Sequence, residues 1–330
     1  MFKRILLILL IFLLLFTGYF FIGKTEPAKE ITWGVNFSQK HAKNLGLDWK
    51  ETYSALLDDL EAKNIKLATH WDLIEPREGE YYFQDLDWQI TEAEKRGAKT
   101  LLVIGMKTPR WPECHIPEWA KNFRKEEQQE RILNLIEKIV LRYQDSNSIW
   151  AWQIENEPFF PFGECPWVDK KFLKKEIALV KSLDTLKRPV VISDSGEGSF
   201  WIQAAKLGDI VGTTMYEKVW VRQLGFYFNY PLPPTFYWRK TQIIKNLFNK
   251  EVICVELQAE PWGPKLLYDS PISEQEKTMD LRQFQKNIEF AKKTGLKEFY
   301  LWGAEWWYWL GVKHGNYEIW EEAKKLFISD

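Results

Sequence analysis

The stretch that decides the fold begins with KTLLVIG (99–105), continues through an amphipathic segment at residues 132–143 and ends with SIWAWQIE (148–155). Both outer runs are largely apolar, which is typical of parallel strands that are covered on both faces. Between them, apolar residues recur at three- and four-residue spacing, as in a helix: Ile132, Leu133, Ile136, Ile139, Val140 and Tyr143. The stretch therefore predicts a strand, a covering helix and a second parallel strand.

The same alternation continues along residues 31–330. Six further apolar runs are ITWGVNF (31–37), IKLATHW (65–71), PVVISD (189–194), DIVGTTMY (209–216), EVICVEL (251–257) and EFYLWGA (298–304). Eight strands alternating with helices in about 300 residues favour a closed barrel over an open sheet. An open dinucleotide-binding sheet would carry a G-x-G-x-x-G turn, and no strand is followed by one. We therefore predict one α/β domain, a (β/α)8 barrel over residues 31–330.

Composition limits the classes of partner. The chain has 45 basic and 46 acidic residues, a formal charge of −1, so it lacks the basic excess that nucleic-acid binding needs. Its 18 tryptophans exceed what a core needs and suggest flat surfaces that bind a ligand. The four histidines lack metal-ligand spacing, so we expect neither a metal nor another cofactor. We expect a monomer.

The N-terminal run ILLILLIFLLLFTGYFFI (5–22) contains no charged residue. Eighteen helical residues would span roughly 27 Å, close to the thickness of a bilayer core. Lys3 and Arg4 precede the run and favour a cytoplasmic segment at residues 1–4. We therefore expect a membrane-anchored protein with an uncleaved transmembrane signal anchor at 5–22, a tether at 23–30 and an extracytoplasmic barrel. The alternative is a cleaved signal peptide and a secreted barrel.

The three cysteines differ in their surroundings. Cys114 and Cys165 lie in Pro-rich, loop-like stretches, WPECHIP and FGECPW, and in an oxidising compartment they can pair. We therefore expect a Cys114–Cys165 disulfide. Strand alternation predicts that Cys254 lies on the same side of the seventh strand as Glu256, buried and unpaired.

Side chains at the carboxyl ends of the predicted strands are the first candidates for function, because active sites of (β/α)8 barrels form there. The candidates at these ends are Asn36, His70, Trp71, Lys107, Asn156, Glu157, Ser193, Asp194, Tyr216, Glu256, Trp302 and Glu305.

Two of these ends carry a recognisable pattern. WQIENEP (152–158) and VICVELQAEPW (252–262) resemble the signatures of retaining glycoside hydrolases built on (β/α)8 barrels, in the style of families 5 (cellulase-like) and 42. The loop WDLIEPREGEYYFQDLDW (71–88) resembles the second-strand loop of the same clan. The resemblance implies that Glu157 is the general acid/base and Glu256 the nucleophile. Glu155 and Glu260 are the competing carboxylates, but alternation and position at the strand mouth favour the first pair.

The resemblance also implies binding roles. Asn156 matches the residue that binds the sugar 2-hydroxyl, Tyr216 the tyrosine that donates to the nucleophile, and Trp302 the tryptophan under the reacting sugar. Further candidates for substrate contacts at the same mouth are His70, Trp71, Glu305 and Asn36. For His70 a buried core position is equally compatible with the sequence.

The function that follows from the resemblance is hydrolysis of a β-linked oligo- or polysaccharide with retention. If two carboxyl groups face each other about 5–5.5 Å apart, one protonates the leaving oxygen while the other attacks the anomeric carbon. A transglycosylase would use the same residues with another acceptor. A different class is a catalytically silent, membrane-anchored barrel that binds glycans.

Overall fold

The computed structural model describes residues 2–328, without the side chains of residues 2–3, 7–10 and 12–13. Residue 1 of the expected cytoplasmic segment and residues 329 and 330 of the expected barrel domain therefore lie outside the described residues. The strands are β1 (Thr32–Phe37), β2 (Asn64–Ala68), β3 (Lys99–Ile104), β4 (Ile149–Ile154), β5 (Val190–Asp194), β6 (Ile210–Met215), β7 (Lys218–Val221), β8 (Phe226–Asn229), β9 (Glu251–Gln258) and β10 (Glu298–Trp302).

The α-helices alternate with these strands and cover the sheet. They are α1 (Phe2–Phe21), α2 (Gln39–Asn44), α3 (Trp49–Asp58), α4 (Trp71–Ile74), α5 (Gln84–Lys95), α6 (Lys125–Tyr143), α7 (Lys170–Leu183), α8 (Ile202–Leu207), α9 (Pro234–Phe248), α10 (Ile272–Gln275), α11 (Leu281–Lys292), α12 (Ala304–His314) and α13 (Glu318–Lys324). Two short 3-10 turns lie at Glu118–Ala120 and Leu267–Asp269.

Eight parallel strands close the barrel in the order β1-β2-β3-β4-β5-β6-β9-β10, with β10 paired back to β1. The predicted (β/α)8 barrel is therefore confirmed. Its interior is filled by a small cluster of side chains: Leu101, Ala151, Val191, Ile253, Val255 and Tyr300. A much larger apolar core lies between the strands and the surrounding helices. The continuous apolar runs of the sequence reflect this burial on both faces.

A β-bulge in β9 aims the predicted nucleophile into the barrel mouth. Thr213 of β6 pairs with Cys254, but its neighbour Thr214 pairs with Glu256, so Val255 is the extra residue. Val255 belongs to the cluster inside the barrel, whereas Cys254 belongs to the core beneath the helices. The expected placement of Cys254 on the same side as Glu256 is thus wrong, because alternation fails across a bulge. Cys254 is nevertheless buried and free.

An aromatic hairpin follows β6 and was not expected from the sequence. Strands β7 and β8 pair antiparallel outside the barrel, and the main-chain N–H of Trp220 donates to the Trp262 carbonyl at 3.1 Å. The hairpin is thereby joined to the loop after β9, on the side of the barrel where the predicted site lies.

The N-terminal apolar run differs from the expected membrane anchor. Among the residues that the structure describes, we find no helix that combines the length and the apolar character needed to cross a bilayer. This finding does not support the expected transmembrane anchor at residues 5–22. The run forms α1, whose last turn packs on the barrel: the ring of Phe20 lies 5.5 Å from that of Phe200 and 5.7 Å from that of Phe236.

Candidate active site

Backbone strain concentrates in the loops that follow β3 and β4. Arg110, Glu113, Glu155 and Glu157 adopt positive φ angles of 85°, 72°, 58° and 42°. Such conformations are costly for non-glycine residues and are maintained where the surrounding structure holds them, often at functional sites. Two features hold them here. Cys114 and Cys165 form a disulfide between the two loops. Gly163, at φ 90°, leaves room for Glu113, whose Cβ would lie 2.5 Å from an added Cβ.

Glu157 lies three residues beyond β4 and is buried, with 8% of its surface exposed. Its main-chain N–H donates to Ser193 Oγ at 2.8 Å, and its carbonyl accepts from Lys107 Nζ at 3.0 Å. Its carboxyl Oε1 accepts from Thr214 Oγ1 at 3.3 Å. Burial and the charge of Glu256 raise the pKa of Glu157 well above its ordinary value, against the opposing charge of Lys107. A neutral, proton-bearing carboxyl at this position is what a general acid requires.

Glu256 lies within β9 and is held by two donors. Lys66 Nζ of β2 forms an ion pair with Oε1 at 2.9 Å, and the Tyr216 hydroxyl donates to Oε2 at 2.9 Å. Both Glu256 and Lys66 are buried, with 2% and 1% of their surfaces exposed. A cation and a hydrogen-bond donor favour the charged form of a carboxyl. Glu256 is therefore paired with a cation, whereas Glu157 is buried beside negative charge.

The two carboxyl groups meet at the same mouth of the barrel. Thr214, whose hydroxyl bonds to Glu157, is the register partner of Glu256 on the neighbouring strand. The charges of both glutamates also act on the Tyr216 hydroxyl, whose pKa is raised well above its ordinary value, first by burial. The structure thus brings together the two side chains that the sequence selected as acid/base and nucleophile.

The competing carboxylates are occupied elsewhere. Glu155 accepts from the main-chain N–H groups of Met106 and Lys107 at 2.8 and 2.6 Å and interacts with Glu176 of α7. Glu260 binds Arg110 and lies 3.4 Å from His41 Nε2. Although burial alone would raise it, the pKa of Glu260 is lowered to about 2, because Arg110 and His41 stabilise the carboxylate. Both carboxylates therefore have structural partners.

Asn156 is held at both ends of its amide. Gln153 Nε2 donates to its Oδ1 at 3.1 Å, and its Nδ2 donates to Glu113 Oε2 at 3.2 Å. Burial raises the pKa of Glu113 to about 8; the charge of Lys107 opposes this shift and the charge of Glu256 adds to it. Glu113 is thus a further buried carboxyl at the site. Sequence reasoning missed it because it lies in the middle of a loop, nine residues beyond β3.

Trp302 lies at the base of the site, but one face of its ring is covered. The Arg110 guanidinium lies 3.9 Å from the centre of the ring. Arg110 also binds Glu260 and donates to Glu305 Oε2 at 3.0 Å, while Glu305 Oε1 accepts from the Ser38 main-chain N–H at 2.7 Å. A substrate that stacks on this face of Trp302 would have to displace Arg110. Glu305 is fully buried and pairs with Arg110, so its expected substrate contact is not formed by a free carboxylate.

Asn36 and Lys66 line a narrow hollow beside Trp302. The Asn36 amide Nδ2 donates to the carbonyls of Val255, Tyr300 and Leu301 at 3.1, 3.2 and 3.3 Å, which ties β1 to β9 and β10. Asn36 Oδ1 is buried without a partner among the described residues. Asn36 therefore supports the barrel and leaves one acceptor for a ligand.

His70 and Trp71 are buried and their polar atoms have partners within the protein, so their expected substrate contacts stay a prediction. His70 lies 3.0 Å from Ser38 Oγ and 3.2 Å from Thr108 Oγ1, and burial lowers its pKa well below the ordinary value. Trp71 is fully buried, and its Nε1 donates to Glu75 at 2.8 Å. Within residues 2–328, no group of three or more His, Cys, Asp or Glu side chains is arranged to hold a metal ion.

Replacing Lys66 by methionine should destabilise the barrel and lower any activity of the site. The change leaves Glu256 buried without its cation, which costs about 3–5 kcal/mol when one partner of a buried pair is removed. Urea unfolding measures the loss of free energy. The matched control is Lys181→Met, which breaks an exposed pair with Asp209 and should cost less than about 1 kcal/mol. Equal losses in the two variants would contradict a buried, stabilising Lys66–Glu256 pair.

Comparisons with known proteins were made for sequence and structure. Residues 48–175 match the glycosyl hydrolase family 42 model, described as beta-galactosidase. Mannan endo-1,4-beta-mannosidase A of Emericella nidulans is 27% identical over 158 residues, which are 45% of this chain and 39% of that protein. The chain thus spans well under half of this curated relative.

Solved structures with the same fold include three glycosidase-like proteins. A beta-galactosidase from Marinomonas ef1 has a TM-score of 0.53 at 11% identity, covering 82% of this chain and 54% of that one. GH5_18 from Streptomyces cattleya, in complex with GlcNAc, has a TM-score of 0.58 at 12% identity, covering 83% and 70%. An endo-beta-1,4-xylanase from Gloeophyllum trabeum has a TM-score of 0.56 at 16% identity, covering 91% and 98%. At these identities the structural likeness concerns the fold.

The sequence matches cover only part of the chain, but they agree with one another and with the architecture. The family match, the mannosidase relative and the closed eight-stranded parallel barrel together fit a glycoside hydrolase built on a (β/α)8 barrel.

Proposed function

We propose that the protein is a retaining glycosidase that hydrolyses a β-linked glycan by double displacement. The observation that carries this proposal is the pairing of two buried glutamates in opposite environments. Burial and a neighbouring negative charge raise the pKa of Glu157, whereas Glu256 is held by Lys66 and Tyr216. A carboxyl with a raised pKa and a second carboxyl held by a cation and a hydroxyl donor, at one barrel mouth, would supply the acid and the nucleophile that this reaction needs.

In the first step, Glu157 gives its proton to the oxygen of the leaving group. Glu256 attacks the anomeric carbon, the bond to the leaving oxygen breaks, and a covalent glycosyl ester forms with inverted configuration. In the second step, the Glu157 carboxylate takes a proton from water, and the water oxygen displaces Glu256. The second inversion restores the original configuration and returns both carboxyls to their starting states.

Substrate contacts are proposed for the polar groups that remain at the mouth. Asn156, fixed by Gln153 and Glu113, is the candidate for the 2-hydroxyl group beside the reacting carbon. Tyr216 holds the nucleophile Glu256. Trp302 is the candidate for the ring under the reacting sugar; for this, Arg110 must either move off the ring or contact the sugar itself. Relatives named for galactoside, mannan and xylan substrates support a β-linked substrate without selecting one.

An extracytoplasmic location is proposed on separate grounds. The Cys114–Cys165 disulfide joins two loops at the site, and disulfides persist in oxidising compartments.

The test of the function is turnover by the full chain of a panel of aryl β-glucoside, β-galactoside, β-mannoside and β-xyloside reporters, together with polysaccharides. We expect at least one substrate to be cleaved, with the β-anomer as the first product seen by NMR. Transfer to an added sugar in place of water would instead identify a transglycosylase. If no substrate turns over and a sugar nevertheless raises the melting temperature, the protein is a silent glycan-binding barrel.

A further inference from the structure

The hydroxyl group of Thr214 lies between two carboxyl groups. Its Oγ1 is 3.3 Å from Glu157 Oε1 and 3.4 Å from Glu197 Oε2, and it accepts from the Gly196 main-chain N–H at 3.0 Å. A threonine hydroxyl has one proton, so it donates to only one of the two carboxyls at a time. The hydrogen bond available to Glu157 therefore depends on Glu197.

Two hydrogen-bond donors, one after β6 and one in α9, hold Glu197 in place. It lies in the loop between β5 and α8, and its Oε1 accepts from the Tyr216 main-chain N–H at 2.7 Å and from the Tyr237 hydroxyl at 3.0 Å. Tyr216 in turn donates its hydroxyl to Glu256. One carboxylate thus contacts, through one intervening residue each, both the acid/base and the nucleophile.

The charges around Glu157 and Glu197 determine whether Glu197 raises or lowers the pKa of Glu157. The charge of Glu197 raises the pKa of Glu157, although burial and the charges of Glu256, Lys107 and Glu113 have larger effects. Burial raises the pKa of Glu197 itself, opposed in part by the charge of the buried Lys240, whose own pKa is lowered to about 7 by burial. The other titratable groups that act on the two carboxyls are Lys107, Glu113, Tyr216, Tyr230, Tyr237 and Cys254.

We propose that Glu197 is a positioning residue for the reaction, which acts through Thr214 to keep Glu157 protonated until the leaving oxygen takes the proton. The proposal rests on the proposed function. When Glu157 has given up its proton, the Thr214 O–H turns from Glu197 to the new carboxylate. When Glu157 regains a proton from water, the O–H returns to Glu197. No other group gains or loses a proton in this cycle.

Replacing Glu197 by glutamine tests the proposal, because it removes the charge and keeps the size. We expect the basic limb of the kcat/KM profile to move down by about one pH unit, since Glu157 then loses its proton more readily. Glu197→Asp keeps the charge and should leave the limb near its wild-type position. The matched control is Glu298→Gln, which removes a partly buried carboxylate bound by Tyr300 at the opposite mouth of the barrel. Its profile should not move.

If Glu197 had only a structural role, Glu197→Gln would lower activity or stability and leave the basic limb of the profile unmoved, and that result overturns the proposal.

A second measurement does not need turnover. It is an NMR titration of carboxyl-labelled glutamates in the full chain, with the Glu157 signal assigned by its loss in Glu157→Gln. Because Glu157 also interacts with Glu256 and Glu113, the readout is the midpoint of its titration, which should move to lower pH in Glu197→Gln and stay in place in Glu298→Gln. If the midpoint moves but no glycoside is cleaved, the proposed function fails and the Glu157–Glu197 link stands. An unmoved Glu157 midpoint in Glu197→Gln overturns the link even where hydrolysis is observed.

Discussion

Replacing Glu256 by alanine is expected to lower kcat by about 10³-fold or more, because the reaction loses the group that attacks the anomeric carbon. Azide fits the space that the carboxylate leaves and attacks from the same side. Its product, an α-glycosyl azide from a β-glycoside, has the opposite configuration to the natural product. Rates with and without azide and NMR of the product measure both effects.

The control for this experiment is Glu260→Ala, in the loop that follows β9. Glu260 pairs with Arg110, so its removal should weaken binding or stability. It should give no azide product, because Glu260 is not the attacking group. Azide rescue of Glu260→Ala in place of Glu256→Ala would show that the nucleophile is misassigned.

Replacing Glu157 by alanine is expected to give an effect that depends on the leaving group. Departure of a poor leaving group requires a proton, and loss of general acid catalysis typically costs about 10²–10⁴-fold. Dinitrophenolate leaves without a proton, so the glycosylation rate of a dinitrophenyl glycoside should change far less. Azide should accelerate the second step and give a β-glycosyl azide, because Glu256 still forms the intermediate. Pre-steady-state rates across a series of aryl leaving groups provide the measurement.

A uniform loss across the leaving-group series would contradict the assignment of Glu157 as the acid. The matched control is Glu155→Gln, two residues earlier. Because Glu155 binds main-chain N–H groups of the β3 loop, its replacement should affect good and poor leaving groups alike. The comparison separates proton donation from support of the loop.

The barrel was predictable from the sequence because it follows from local patterns, whereas the two central glutamates were selected through the resemblance of their segments to glycoside hydrolase signatures. The eight apolar runs determine the closed sheet, and parallel strands carry their carboxyl ends to one mouth. Glu157 lies three residues beyond β4, so the end of that strand brings it to the mouth. Glu256 lies at the mouth for a different reason, since the bulge at Val255 turns it inward, and no residue type in the run marks that bulge.

The residues that surround and hold the two glutamates were not predictable in the same way. Lys66 has a signal in the sequence, since it is a lone charge within an apolar strand, but its partner lies 190 residues away. The covering of Trp302 by Arg110 depends on a loop conformation held by a disulfide and positive φ angles. His70 and Trp71 are buried, and a strand-end position alone does not tell whether such a side chain faces the mouth or the core.

The environment of the N-terminal run was also not predictable from its hydropathy. Hydropathy alone favoured a membrane anchor over residues 5–22, whereas the last turn of α1 packs its rings against Phe200 and Phe236. An apolar segment can be buried by lipid or by protein, and its composition is similar in both cases.

Trapping the covalent intermediate tests the central claim most directly. The full chain would be incubated with 2-deoxy-2-fluoro glycosides of the gluco, galacto, manno and xylo series carrying a good leaving group, and the labelled peptide would then be identified by mass spectrometry. We expect one fluorosugar per chain, attached to Glu256, with no label in Glu256→Ala. A label on Glu260 or another carboxylate, or continued turnover of the natural substrate without any trapped ester, would contradict the proposed mechanism.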